Sequence, residues 1–197
     1  MSAGPAQDPN RGSDREPVLL RRGNLVVTRA RALQVAGVLV LLLLGAVLPY
    51  VSLVYLNDAS EQVTGRPRLF DAASLLGGLD PTYLPGYRPP VRSDYDLALN
   101  LAAAGPGLQQ IGTVVAALTC WALLTEEVNR FAWWFLHLSG YPLVLAPVAL
   151  LVGRVLLGRL DVGVGLGPAW VPGLAAGVLV LVASWRARGR IDSYSAF

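Results

Sequence analysis

Lysine is absent from this chain, and cysteine and histidine occur once each. A single cysteine, Cys120, excludes an internal disulfide, a Cys-x-x-Cys redox pair and a cysteine-based zinc site. Set in an apolar stretch, it reads as a small buried hydrophobe. A single histidine, His137, has no second imidazole with which to hold a metal or relay a proton. Near Trp133, Trp134 and Tyr141, its expected role is one hydrogen bond between helices. The sequence also lacks a Gly-rich phosphate loop ending in Lys-Ser/Thr, a His-Glu-x-x-His motif and a Gly-x-Ser-x-Gly elbow. These absences point away from an enzyme and from any bound cofactor or metal.

Charge is scarce as well. Only 15% of the 197 residues are charged, while 54% are hydrophobic; soluble domains carry about 25% charged residues. The mean hydropathy is +0.50. The apolar residues fall in four stretches, 33–56, 107–124, 131–157 and 165–185. Crossing a hydrocarbon core takes about 20 mostly apolar residues in a helix. Within lipid only helices and closed barrels satisfy every backbone amide, and continuous runs without alternation select helices. The expected fold is therefore an all-α integral membrane protein with about four transmembrane helices.

The first apolar run is too long for a signal peptide, whose apolar region spans about 7–15 residues. It also ends in bulky residues where a cleavage site needs small ones, so it reads as a retained span. The domain reading places a flexible basic tail at 1–32 and a polar loop with short helices at 57–106. A tight turn at 125–130, an outer turn at 158–164 and a tail at 186–197 complete it. Asp71 is the expected N-cap of a short helix stopped by Gly77-Gly78. An alternative extends the second span upward through 97–104 with a kink at Pro106. Glu126 and Glu127 read as a solvated turn, Glu126 pairing with Arg130 four residues on.

Charge distribution orients the chain. Six arginines precede the first span and three follow the last, and basic flanks are retained on the cytoplasmic side. The loop at 57–106 carries four arginines against six acids. Trp121, Trp133, Trp134 and Trp185 fall near the basic ends, as interfacial aromatics do. Both termini are therefore expected inside and the larger loop outside. Arg21, Arg22, Arg29 and Arg31 lie where anionic headgroups attract basic residues. No basic groove with interleaved aromatics suggests nucleic acid. All-arginine usage hints at a GC-rich bacterial genome, hence a bacterial cytoplasmic membrane.

Ala169, Gly173 and Gly177 form a small-residue face that lets membrane helices approach closely. With so little chemistry, the leading expectation is a non-enzymatic accessory or structural subunit. It would pack on another membrane protein or on itself, with the loop at 57–106 supplying the specific contact. The alternative is a component of an oligomeric transporter or channel, carried by Gln109, Gln110, Thr113, Thr119, Ser139 and His137. A membrane enzyme using Asp94 and Asp96 is a third, weaker reading.

Overall fold

The first helix begins where a hydroxyl can cap it. Thr28 is extended and its Oγ1 accepts from the Arg31 amide at 3.3 Å, satisfying one orphan donor. From there α1 runs Arg29–Val47. It stops because Leu48 precedes Pro49, and a residue before proline is driven out of the helical region; Leu48 has φ −71 and ψ 153. The expected span at 33–56 is thus too long by its last residues. These form β3, Val51–Leu56, whose start alternates buried Val51 and Leu53 with half-buried neighbours, the two-residue period of a strand.

A computed structural model describes residues 18–22, 25–56, 61–85, 87, 92–124, 130–160 and 162–187. Two small sheets correct the all-α expectation. One is a hairpin, β1 (Val18–Arg22) with β2 (Leu25–Thr28), in part of the segment expected to be a tail. The other has the order β4-β3-β5, with β4 at Gln62–Gly65 and β5 at Val164–Leu166. Both partners run antiparallel to β3, pairing Leu53 with Gly65 on one side and Val51 with Leu166 on the other. The strand at 164–166 occupies the place expected to open the fourth span. Beyond it, Gly167 donates to Tyr50 O at 2.9 Å. A Cβ at Gly167 would strike the Pro49 carbonyl, so this return of the chain requires glycine.

The ten-residue helix α2, Leu69–Gly78, begins two residues before the expected cap. Asp71 lies in its first turn, where a carboxylate complements the helix dipole, and the double glycine ends it as expected. A 3-10 turn, Pro81–Tyr83, is capped by Asp80. The 28-residue α3, Arg92–Thr119, takes in fifteen residues expected to be loop and passes through Pro106. The second span therefore follows the extended alternative. Tertiary packing overrides the proline, because Gly105 beside it lets α4 approach: a Cβ there would lie 2.9 Å from Ala146 O. A 3-10 segment, Cys120–Leu124, continues α3. The 30-residue α4, Arg130–Arg159, contains Pro142 and Pro147, and the 18-residue α5 is Trp170–Ala187.

Three helical stretches are long and apolar enough to cross a membrane, at Arg29–Val47, Arg92–Leu124 and Phe131–Arg159. The apolar helix Trp170–Arg186, expected as the fourth span, falls short of that length. The helices pack in the row α1, α5, α4, α3, with α2 against α3. The two larger buried clusters among the described residues follow from this row. One, around Val38, Leu42, Ala116, Leu136, Leu143 and Val180, fills the bundle towards the hairpin end. The other joins the sheet, α2 and the start of α3 through Tyr50, Leu53, Leu69, Leu76, Tyr95 and Leu157. Part of the segment expected to be loop is therefore a packed cap on the bundle.

Candidate functional site

The small-residue face lies inside the chain's own bundle. A Cβ on Gly177 would sit 2.7 Å from Leu143 Cβ and 3.2 Å from Gly140 O, both on α4. A Cβ on Gly173 would sit 2.6 Å from Gln109 Oε1 on α3. Ala169 is fully buried beside them. The face expected to be open to a partner is filled by α4 and α3. Facing Gly45 of α1 and Gly173 of α5, the Gln109 carboxamide occupies the room that two missing side chains leave. Its Nε2 donates a long 3.4 Å bond to Ala169 O. Gln109 Oε1 and Thr113 Oγ1 are buried without a hydrogen-bond partner among the described residues. Four residues apart on α3, they share a helix face and form a polar layer.

Towards the hairpin end, α4 and α5 are joined by a polar chain around His137. Ser184 Oγ donates to Leu181 O at 2.8 Å, so its lone pairs face His137 Nδ1 at 2.9 Å. In the neutral ring Nδ1 then carries the proton, and Nε2 accepts from Tyr141 Oη at 2.9 Å. Trp133 stacks on the imidazole at 4.9 Å between centroids and donates its Nε1–H to Ser184 O at 2.8 Å. Hydrogen bonds between membrane helices average about 0.6 kcal/mol, so this arrangement positions α5 more than it stabilises it. The expected single bond at His137 is one link of a chain. Ser184 escaped the sequence reading because a lone serine in an apolar run carries no local signal.

Comparison with protein families, characterised proteins and solved structures yields no match. The geometry of the chain alone therefore carries the functional argument.

The four arginines differ in setting. Arg31 is half-buried and its Nη1 donates to Val26 O at 3.0 Å, tying α1 to the hairpin. Arg21, Arg22 and Arg29 are exposed. Cations at the start of a helix oppose its dipole by about 0.3–1 kcal/mol, so helix stability does not explain Arg29 and Arg31. Beside them, β1 exposes Val18, Leu19 and Leu20. Glu126, Glu127 and the tail at 188–197 lie outside the described residues.

At the cap, Asp80 Oδ1 accepts from the Thr82 amide at 3.0 Å and the Thr82 hydroxyl at 2.9 Å. Its Oδ2 faces Arg92 Nη2 at 3.1 Å, and Arg92 also meets Asp96 at 3.7 Å. Asp94 and Asp96, expected as an acid pair for an enzyme, stand two residues apart on α3 and therefore on different faces, and of the two only Asp96 meets Arg92. The Thr82 hydrogen bonds, and then Arg92, hold the Asp80 carboxyl below the usual carboxylate range. A carboxyl depressed in the fold contributes stability above its unfolded pKa of about 3.9 and loses it as pH falls through the folded value. The Thr82 amide should therefore lose hydrogen-exchange protection below about pH 4. Asp80→Asn should remove that pH dependence, and an unchanged profile would show that the carboxylate does not hold this turn. Within the cap, burial raises the pKa of the Tyr50 phenol, whose hydroxyl finds no partner among the described residues.

Two clefts meet on the outer surface of α4 near the cap. One, about 270 Å³, is lined by Asp94, Leu97, Leu156, Arg159 and Leu160. The other, about 260 Å³, is lined by Leu151, Val152, Val155, Leu156 and Arg159. Leu156 and Arg159 line both, so the two adjoin as a shallow, open groove.

Proposed function

We propose that this protein is a non-enzymatic accessory or structural subunit of the bacterial cytoplasmic membrane, with both termini inside and the cap outside. Its partner is another membrane protein, or a second copy of the chain, and the contact is made by the cap. The observation that carries this reading is the cap's own core. Buried Leu69, Ala72 and Leu76 anchor α2, and Gln110 Nε2 donates to Leu69 O at 2.8 Å. A segment that only joined two spans would not need such a core; one that presents a fixed surface would. On that surface Phe70 is 55% exposed, a large apolar side chain of the kind enriched at interfaces.

Orientation draws on charge and aromatic placement together. Arg29, Arg31, Trp121, Trp133, Trp134, Trp185 and Arg186 gather at the hairpin end of the helices. Basic residues and interfacial aromatics at one face mark the cytoplasmic side. Phosphate headgroups there also account for the arginines that the dipole of α1 disfavours. The second reading, a transport component, draws on the layer of Gln109 Oε1 and Thr113 Oγ1, which find no partner among the described residues, and it requires an oligomer to complete a pathway.

Two labelling experiments test the parts separately. Ser93→Cys should react with a membrane-impermeant thiol reagent on intact cells, and Ser13→Cys only after permeabilisation. The reverse pattern overturns the orientation. A photo-cross-linking amino acid in place of Phe70 should give one discrete protein adduct, absent when it replaces lipid-facing Leu118. Correct orientation without an adduct at Phe70 would overturn the accessory role and leave the topology standing.

A further inference from the structure

From the groove on α4 we infer a binding site for an ethanolamine-headed phospholipid, with its phosphate on Arg159, its ammonium on Asp94 and an acyl chain along Leu151, Val152 and Val155. This rests on the reading of α4 as a membrane span. With 30 residues, α4 is about 45 Å long. A bilayer with its headgroups is about 40–45 Å thick, so both ends of α4 reach headgroup layers. Arg159 is its last residue, and Asp94 lies in the first turn of α3 alongside.

Side-chain direction then orders the charges along the membrane normal. Every Cα–Cβ bond in a helix tilts towards that helix's N-terminus. Gly153 of α4 meets Ala102 of antiparallel α3; from that level Arg159 lies six residues outward and Asp94 eight, so Asp94 starts about 3 Å farther from the hydrocarbon and its Cβ tilts farther out still. Exposed Leu151, Val152 and Val155 lie deeper. From the hydrocarbon outward the groove thus offers apolar surface, a cation and then an anion. A phospholipid with a terminal ammonium presents apolar chain, phosphate and cation in the matching order. A choline headgroup has no N–H to give Asp94, and a glycerol headgroup has no cation for it. Neighbouring Arg92 is engaged with Asp80 and Asp96, and among the described residues no ion pair closes Asp94 onto Arg159.

The test is a titration of the delipidated full-length protein, in mild detergent, read by native mass spectrometry. Phosphatidylethanolamine, phosphatidylcholine and phosphatidylglycerol with identical acyl chains are the probes. Both headgroups carry a positive charge, so the difference is the N–H hydrogen bond, worth about 0.5–1.5 kcal/mol net and less where exposed; ethanolamine lipid should bind about two- to fivefold tighter than choline lipid. Asp94→Asn should abolish that preference while choline lipid still binds. Arg159→Gln should weaken both by a similar factor, and Arg154→Gln, on α4 outside the groove lining, should change neither. Equal binding of ethanolamine and choline lipid, or a preference surviving in Asp94→Asn, overturns the site. So does tighter binding of the glycerol lipid, which would mark a simple cationic patch. Absence of binding by any of the three lipids would overturn the membrane reading along with the site, whereas binding without headgroup preference overturns the site alone.

Discussion

Replacing Gly173 and Gly177 together with leucine should collapse the stability of the isolated protein, whether or not a partner is present. At Gly177 the obstacles are Leu143 Cβ and the Gly140 carbonyl, which cannot swing aside, and at Gly173 a leucine must displace the buried Gln109 carboxamide. Overpacking typically costs about 1–3 kcal/mol per site and occasionally more. Leucine's better helix propensity returns at most about 1 kcal/mol at each. Total stabilities run to only about 5–15 kcal/mol, so the double variant forfeits a large share. A thermal melt in detergent should show a strongly lowered midpoint, while conservative apolar changes at exposed Val178 and Leu179 leave it in place. An unchanged midpoint accompanied by a lost partner would show that this face points outward after all.

A single methyl group should have a comparable effect at the seam of α3 and α4. Gly153 packs against the backbone of Ala102, with Ala102 Cα 2.5 Å from where a Cβ would stand. Because the obstacle is backbone, no rotamer change relieves it, and Gly153→Ala must part the two helices. We expect a loss of about 1–3 kcal/mol. The matched substitution, Gly107→Ala, meets nothing within 4 Å and should stabilise α3 by up to about 1 kcal/mol through helix propensity. The same chemical change thus has opposite signs at two positions, read as opposite shifts of the thermal midpoint. Shifts of the same sign would mean that α3 and α4 do not approach as described.

Both expectations use contacts the sequence did not disclose. A Gly-xxx-Gly face reads the same whether it meets a partner chain or the chain's own helix, because the pattern records only which side chains are small. Likewise, Pro106 reads as a break until the approach of α4 at Gly105 shows why the helix continues. The strand at 51–56 was readable in principle, in Pro49 and the alternation that follows. Its apolar composition hid it at the end of a longer run. The paired strands at 18–22 and 25–28 were less visible, since strands this short carry little periodicity.

What the sequence determined by itself are properties that sum along the chain: apolar content, the presence of long apolar helices, and the placement of arginine and tryptophan near helix ends. Long continuous hydrophobic runs become helices because no other local structure satisfies their backbone away from water. Only the tertiary structure decided which residues meet across the chain. It put Gln109 between Gly45 and Gly173, linked His137 to Ser184, gave α2 a core, and placed Asp94 and Arg159 in one groove. These residues lie dozens of positions apart, and what joins them is the antiparallel packing of neighbouring helices. Side-chain type and spacing along one helix do not encode that packing.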